Sequence, residues 1–256
     1  MMTIKSADEI AKMRLAGALL HRVIEALKPL IAPGATTLFL DKTAEKLITA
    51  AGAAPSFLGY NGFKYSLCAS VGDQVVHGFP TDEPLREGQI VSIDVGLTLN
   101  GWQADSAFTA AVGKVSGAAA RLIRVTEECF WLAAERARPG NRLGDIGHAV
   151  QSYAEAHGYG VIRAMCGHGI GRALHEEPNV PNVGAPGRGM RLRPGMTLAI
   201  EPMISAGGWP VYFDDNGWTV RTSDRSLCAH YEHTVAITAG EPEILTYPGC
   251  AARRAV

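Results

Sequence analysis

The sequence predicts an α+β fold in which two pseudo-symmetric halves pack together as one domain. Three observations support this: helical segments with an apolar stripe alternate with apolar strands, a pattern of turns and strands occurs twice, and no linker or charge block divides the chain. The chain has 256 residues, which at about 150 residues per domain is one large domain or two small ones. Hydrophobic residues make up 47% and charged residues 19%, a composition that excludes a disordered chain.

Charge, hydropathy and cysteine content exclude several classes of protein. The 24 Lys and Arg residues nearly balance the 25 Asp and Glu residues, which argues against a polybasic nucleic-acid binder. No apolar run approaches the ~18 residues of a membrane span, and the chain starts with a charged amphipathic stretch rather than an apolar signal core. The cysteines form no CxxC pair, which argues against a disulfide framework or zinc ribbon and favours a reducing cytoplasm. They are Cys68, Cys129, Cys166, Cys228 and Cys250.

Two helices are predicted near the start of the chain. Ser6 and Glu9 form a capping box, and apolar residues recur at helical spacing until Pro29. The second helix is predicted from about Thr37 to Ala51 and ends at Gly52. The apolar stripe of the first helix consists of Ile10, Met13, Ala16, Leu20, Val23 and Leu27.

Strands and two further helices follow. Residues 65–76 are strand-like, and residues 89–99 are largely apolar and rich in strand formers. Asn100-Gly101 is a strong signal for a two-residue hairpin loop, so residues 102–112 are predicted to return as the paired strand. A third helix is predicted from Ser116 to near Pro139, and a fourth from about Leu143 to His157, before glycine-rich strands and loops.

An internal repeat relates the two predicted halves, which are roughly residues 1–112 and 113–256. Pro33-Gly34 and Pro139-Gly140 each precede a helix that ends at a glycine, and they lie 106 residues apart. The segments 85–94 and 192–201 each contain a turn, a glycine and an apolar strand ending in a carboxylate, and they lie 107 residues apart. We interpret the repeat as two related halves of one domain; coincidence between two similar turns is the alternative.

The predicted hairpin places two aspartates close together. With Asn100-Gly101 as the loop, Asp105 lies opposite Gly96, on the same face as Asp94. The two aspartates are then diagonal neighbours, about 7–8 Å apart between backbones. Buried carboxylates at that separation repel each other unless they share a proton or a cation. A solvated hairpin with two surface aspartates is the alternative interpretation.

Three further residues favour a metal site. Glu201 ends an apolar strand, Glu232 begins another, and His168 lies between glycines that allow close backbone approach. Four carboxylates carry the charge that two divalent cations would balance. Oxygen ligands with one imidazole suit Mn²⁺, Fe²⁺, Co²⁺ or Zn²⁺.

Competing catalytic motifs are incomplete or missing. Gly158-Tyr159-Gly160 lacks the last glycine of a dinucleotide-binding loop, and Walker A, HExxH and GxSxG patterns do not occur. Cys166 shares a strand face with His168 if the strand is regular, which leaves a thiol nucleophile open as an alternative.

The chain resembles the type I methionine aminopeptidases, in their short bacterial form, across nearly its whole length. Individually the matching segments are short, but their order along the chain is specific to the family. They are Ile4-Lys5, Glu9-Ile10, Met13-Arg14, Ala16-Gly17, Val76 to Pro80, Ile93 to Val95, Gly167 to Gly171, His175 to Pro178, Ile200 to Met203 and Tyr231 to Thr234.

This resemblance implies the pita-bread fold, in which two pseudo-symmetric halves surround a central dinuclear metal site. It implies that Asp94 chelates one metal ion and that Asp105 and Glu232 bridge both. His168 and Glu201 would complete the other ion, with Glu201 also acting as general base and then acid.

The resemblance also implies a substrate site beside the metals. His77 and His175 would contact the substrate and stabilise the tetrahedral intermediate. The residues implied for the methionine pocket are Phe57, Tyr60, Phe63, Cys68 and Trp218. The chain departs from the family pattern at Phe57, Phe63 and Leu174, where Cys, Tyr and Phe are more usual, and at Gly96, where Thr is usual.

The activity implied is removal of the N-terminal methionine from nascent proteins and peptides, by metal-hydroxide attack on the first peptide bond. Two divalent metal ions (Co, Mn, Fe or Zn) would be the cofactors. A cytoplasmic monomer associated with the ribosome, with no nucleic-acid motif and no membrane partner, is expected. Two alternatives stay open: an Xaa-Pro-type aminopeptidase of the same fold and a metal-free binding paralogue.

Overall fold

The computed structural model describes residues 3–249. Within this range the chain forms four α-helices, two before the first strand and two between the fifth and the sixth. They are α1 (Ala7–Leu27), α2 (Thr37–Ala50), α3 (Gly117–Arg136) and α4 (Leu143–Ala156). Short 3₁₀ helices occur at Lys28–Leu30 and Tyr60–Gly62.

The strands of the described range are mostly short, apart from the two that form the predicted hairpin. Those of the first half are β1 (Ala54–Pro55), β2 (Leu67–Val71), β3 (Gln74–Val76), β4 (Ile90–Leu99) and β5 (Trp102–Ala111). Those of the second half are β6 (Gly160–Val161), β7 (Gly167–Gly169), β8 (Glu176–Val180), β9 (Thr197–Ile200), β10 (Met203–Ser205), β11 (Val211–Phe213), β12 (Val220–Thr222), β13 (Cys228–His230), β14 (Glu232–Ala236) and β15 (Glu243–Ile244).

One antiparallel sheet joins the two halves. Its strand order within the described residues is β1-β4-β5-β14-β9-β7-β8, with β2 beside β4 and β15 beside β14. The halves meet where β5 of the first pairs with β14 of the second. Two three-stranded sheets, β13-β10-β6 and β11-β12-β3, lie beside the main one.

The helices begin where the sequence predicts. The Ser6 side chain accepts from the Glu9 amide while the Glu9 carboxylate accepts from the Ser6 amide, which confirms the capping box. At α2 and α3 the side chains of Thr36 and Ser116 accept from the amides of Phe39 and Ala119, without the reciprocal bond. Ala16, Leu20, Val23 and Leu27 of the α1 stripe are buried in the first-half core with α2 and β4, whereas Met13 and the partly buried Ile10 pack in a separate cluster with Phe57 and Phe63. Helices α3 and α4 cover another core that includes β9 and β14. Each half therefore buries its own helix pair against its part of the sheet.

The β4–β5 hairpin has the predicted register. Leu99 pairs with Trp102 and Gly96 with Asp105. Asn100 and Gly101 have φ of 52° and 77°, the left-handed pair of a type I′ turn, whose twist matches that of the flanking strands. Asp94 and Asp105 therefore lie on one face of the hairpin.

The internal repeat is visible in the hydrogen bonds of the two halves. The Leu85 amide donates to the Ala35 carbonyl at 2.8 Å, and the Leu192 amide donates to the Asn141 carbonyl at 2.8 Å. Isolated bridges join Thr36 to Pro84 and Arg142 to Arg191 at equivalent places. In each half, hydrogen bonds thus join the loop before the second helix to the loop before the strand that carries a carboxylate.

The described cysteines are not joined by disulfides. Cys68, Cys129 and Cys228 are buried and Cys166 is partly buried, all as free thiols; Cys250 lies outside the described residues. Between residues 3 and 249 no helix combines the length and apolar character that crossing a membrane requires.

Candidate metal centre

The five predicted ligands come from five strands that are neighbours in the sheet. They line one cavity of about 220 Å³, and the sheet order β4-β5-β14-β9-β7 explains why residues so far apart in sequence meet there. The ligands are Asp94 on β4, Asp105 on β5, His168 on β7, Glu201 just after β9 and Glu232 at the start of β14.

The distances between these side chains suit a shared cation. His168 Nε2 lies 3.9 Å from Asp105 Oδ2 and 3.7 Å from Glu201 Oε1. One ligand atom from each of Asp105, His168 and Glu232 lies within 4.8 Å of the others. His168 Nδ1 lies 2.9 Å from the Gly169 carbonyl oxygen, so Nδ1 carries the proton and the Nε2 lone pair faces the carboxylates.

Burial raises the pKa of all four carboxyl groups. Burial first, and then the charge of Asp105, raises the pKa of Asp94, Glu201 and Glu232 well above the ordinary range. Burial also raises the pKa of Asp105 to about 7. Four carboxylates in a water-poor cavity cannot all carry charge without compensation. A divalent cation would supply that compensation and displace the protons.

Three carboxylate oxygens fit a metal-binding role for a second reason. Asp94 Oδ1, Asp105 Oδ1 and Glu232 Oε1 are buried, and none has a hydrogen-bond partner within residues 3–249. Buried polar atoms are nearly always satisfied by a hydrogen bond or an ion. Oxygen donors with one imidazole nitrogen therefore fit hard or intermediate divalent cations.

Hydrogen bonds from neighbouring side chains hold two of these ligands in place. Thr234 Oγ1 accepts from the Asp105 amide at 3.0 Å and donates to the Asp105 carbonyl at 2.9 Å. Ser106 Oγ donates to the Glu232 carbonyl at 2.7 Å. These bonds cross the β5–β14 junction, so the two halves fix each other's ligands.

An aromatic pocket opens from the same cavity. The Phe63 ring contacts the Trp218 ring with centroids 5.1 Å apart. Phe57, Tyr60, Cys68 and Leu174 contribute to the same lining. The sulfur of Cys68 stays protonated because burial, and then nearby carboxylates, raise the pKa of its thiol. The pocket wall is thus apolar and uncharged.

His77 and His175 also line this cavity. His175 Nδ1 lies 2.7 Å from the Tyr60 hydroxyl oxygen, and its ring centroid is 4.2 Å from that of His168. Burial, and then His175, lowers the pKa of His77 to about 4, and burial lowers the pKa of His175. Both imidazoles are therefore neutral near pH 7 and can donate hydrogen bonds.

Sequence reasoning missed His230 as a part of this site. His230 Nε2 lies 3.6 Å from Glu201 Oε2 and 3.8 Å from Glu232 Oε2. Burial, and then His77, lowers the pKa of His230 to about 3, so the ring is neutral. The signal was present, because His230 stands two residues before Glu232 and residues at that spacing share a strand face.

Two residues close in sequence to these ligands, His233 and Cys166, do not line the cavity. His233 packs among aromatic rings and bonds Ser106, Thr246 and Tyr231. Burial, and then Glu201, raises the pKa of the Cys166 thiol. A nucleophilic cysteine needs a lowered pKa, so the thiol-nucleophile alternative has no support.

The chain is similar to known proteins in sequence and in fold. The model of metallopeptidase family M24 matches residues 11–239. The chain is 52% identical over 246 residues to a methionine aminopeptidase of Clostridium perfringens, covering 96% of this chain and 99% of that protein. The crystal structure of methionine aminopeptidase from Rickettsia prowazekii superposes with a TM-score of 0.95 at 42% identity, covering 96% of this chain and 100% of that one.

A more distant structural likeness concerns the fold alone. The prolidase from Pyrococcus horikoshii superposes with a TM-score of 0.77 at 24% identity, covering 95% of this chain and 63% of that one. Together these matches confirm the predicted pita-bread fold of two related halves.

Proposed function

The chain belongs to metallopeptidase family M24 and, within it, to the methionine aminopeptidases, and on that premise we propose how its side chains carry out the reaction. It is a metal-dependent hydrolase that removes methionine from the N-terminus of peptides and nascent proteins. Asp94, Asp105, His168, Glu201 and Glu232 would hold two divalent ions. Such ions supply Lewis-acid activation of water and of the peptide carbonyl.

Glu201 is the residue that moves the proton in this proposal. Its carboxylate lies beside His168 in the cavity, where it takes a proton from the attacking water and returns it to the leaving amine. Burial raises the pKa of Glu201, so its protonated form is accessible during the reaction. A carboxamide at this position could not accept the proton.

His77 and His175 bind the substrate at the scissile bond. Both are neutral and face the cavity, so each offers an N–H to a carbonyl oxygen that becomes negatively charged. The Tyr60 hydroxyl at 2.7 Å fixes the orientation of the His175 ring. His175 is the more exposed of the two.

The aromatic pocket receives the methionine side chain. An unbranched, polarisable thioether packs well against aromatic rings, which Phe57, Tyr60, Phe63 and Trp218 provide. The neutral Cys68 thiol adds sulfur contact without charge. An acidic side chain would lose its hydration there with no partner of opposite charge.

The observation that carries this proposal is the convergence of five ligand side chains in one buried cavity, with carboxylate oxygens that no described residue satisfies. A peptide-release assay on Met-Ala, Met-Lys and Ala-Pro N-termini, with and without chelator, tests it. We expect release of methionine from Met-Ala that chelator abolishes. Release from Ala-Pro alone would indicate an Xaa-Pro specificity, and no release with any metal would indicate a binding protein.

We propose further that the chain works as one catalytic domain and as a monomer, because one copy supplies all five proposed ligands and the aromatic pocket. The free thiols of the described cysteines suit the reducing cytoplasm. Nascent chains on the ribosome would supply its substrates, and Co²⁺, Mn²⁺, Fe²⁺ or Zn²⁺ would serve as the metal. Light scattering should give a mass near 27.2 kDa; twice that mass would contradict the monomer.

A further inference from the structure

His230 is a buried side chain at the edge of the metal centre that the proposed reaction does not use. It ends β13 and is 1% exposed. Its Nε2 atom faces two carboxylates but has no hydrogen-bond partner within residues 3–249. A buried imidazole nitrogen aimed at carboxylates requires an explanation, because unsatisfied buried polar atoms are rare and unfavourable.

The two carboxylates present different oxygens to different partners. Glu201 Oε1 lies 3.7 Å from His168 Nε2, whereas Glu201 Oε2 lies 3.6 Å from His230 Nε2. The Glu201 carboxylate therefore stands between two imidazoles, one on each oxygen. On Glu232, Oε2 is the atom near His230 at 3.8 Å, while Oε1 is the buried oxygen with no partner.

The two oxygens of each glutamate therefore have different neighbours. We call the two Oε2 atoms, which lie near His230, the outer oxygens, and Glu201 Oε1 and Glu232 Oε1 the inner oxygens. An imidazole that presented a lone pair to both outer oxygens would be repelled by them, whereas an N–H would be attracted to both. Carboxylates that bind metals are commonly held by hydrogen bonds to their other oxygen.

We infer that His230 is a positioning residue, whose Nε2–H donates to the outer oxygens of Glu201 and Glu232 and keeps their inner oxygens directed at the metal ions. This inference rests on the proposed metal-binding role of the two glutamates. One ligand atom from each of Glu201, His230 and Glu232 lies within 4.8 Å of the others, so the test below distinguishes this positioning role from direct ligation. The separations of 3.6 and 3.8 Å are longer than a hydrogen bond, so the inference requires the carboxylates to move by roughly half an ångström toward Nε2 when a cation is bound.

The test compares His230→Leu, which has no donor, with His230→Gln, whose side-chain amide keeps one. Binding of Co²⁺ alone is measured by calorimetry and by the visible spectrum, alongside kcat and KM on a Met-Ala peptide. We expect His230→Leu to weaken Co²⁺ binding by about 10–100-fold and to lower kcat more than it raises KM. His230→Gln should stay within about threefold of the unmodified protein and keep its Co²⁺ spectrum. His148, exposed on α4, provides the control His148→Leu, which should change neither readout.

Each remaining outcome is decisive. Unchanged Co²⁺ affinity in His230→Leu would overturn the inference and leave the proposed function standing. A changed spectrum and 10–100-fold weaker binding in His230→Gln would also overturn it, because direct ligation by the imidazole would then be the explanation. If His230→Leu fails to fold, His230→Gln alone decides between these results. Absence of Co²⁺ binding by the unmodified protein would instead refute the proposed function, and this inference with it.

Discussion

An alanine at position 96 would place a methyl group against the ring of Phe57. A Cβ built on Gly96 lies 2.7 Å from Phe57 Cε1 and 3.2 Å from Phe57 Cζ. Carbon atoms prefer separations of about 3.5–4.0 Å, so one of the two groups has to move by close to an ångström. β4 is paired along its length with β5, which holds the backbone at Gly96. The Phe57 ring lines the cavity and is the group that can move, into the space proposed for the methionine side chain.

The expected size of the effect follows from this geometry. Overpacking a well-packed site costs about 1–3 kcal/mol, so Gly96→Ala should lower the free energy of unfolding by that amount. Because the displaced ring narrows the pocket, KM for a Met-Ala peptide should rise more than kcat falls. Urea unfolding and steady-state kinetics on the metal-loaded enzyme measure the two effects. Gly117→Ala is the matched control, since a Cβ there meets no atom within 4 Å.

A second variant tests whether contact with the Phe57 ring causes the effect of Gly96→Ala. Phe57→Leu removes the ring atoms that the new methyl would meet, so adding Gly96→Ala to Phe57→Leu should cost less than adding it to the unmodified chain. Residues in contact show coupling energies of about 0.5–3 kcal/mol, and we expect a value in that range. Equal costs in both backgrounds, or a Gly96→Ala enzyme with unchanged stability and KM, would refute the reasoning.

Three other predictions follow from the metal centre. Asp105→Asn should abolish turnover at every metal concentration, because one shared ligand would lose its charge; measurable turnover in saturating Mn²⁺ would rule out the shared role. His175→Ala should lower kcat while leaving Mn²⁺ affinity within about threefold, as calorimetry would show, and activity equal to the unmodified enzyme would remove His175 from the chemistry. Burial raises the pKa of Asp105 to about 7 from an ordinary value of 3.8, so its contribution to the stability of chelator-treated protein is fully present below about pH 4 and lost as pH rises through about 7. The buried histidines titrate in both proteins, so urea unfolding of the metal-free protein and of metal-free Asp105→Asn isolates this contribution. Raising the pH from 5 to 7.5 should change the free energy of unfolding less favourably in the protein with Asp105 than in Asp105→Asn; an equal change in both would contradict it.

Local features of the sequence predict the hairpin and the repeat well. Asn100 and Gly101 determine a two-residue turn, and that turn determines which residues pair across β4 and β5. The paired turns before α2 and α4 follow from glycines and prolines whose backbone preferences are strong. Asp94 and Asp105 are therefore neighbours for local reasons.

Contacts between distant segments were harder to predict. The Phe57 ring fills space beside Gly96 only because the chain between them folds back along β4, pairing Ala54 with Thr98. His230 faces the metal centre although β13 ends at this residue and β14 starts two residues later. The sequence alone did not show whether His230 and Glu232 would lie on the same face, because they belong to two different strands. A charged pair, Lys5 with Glu176 at 2.6 Å, joins the chain start to the segment that carries His175. No local pattern indicates that pair.

We propose that five side chains, contributed by both halves, hold a pair of divalent ions. Anomalous diffraction from crystals of the full chain grown with Mn²⁺ tests it most directly. We expect two anomalous peaks in the cavity, both within coordination distance of Asp105 and Glu232, with Asp94 on one and His168 and Glu201 on the other. Peaks elsewhere on the molecule, with the carboxylates of the cavity bonded only to each other, would contradict the account.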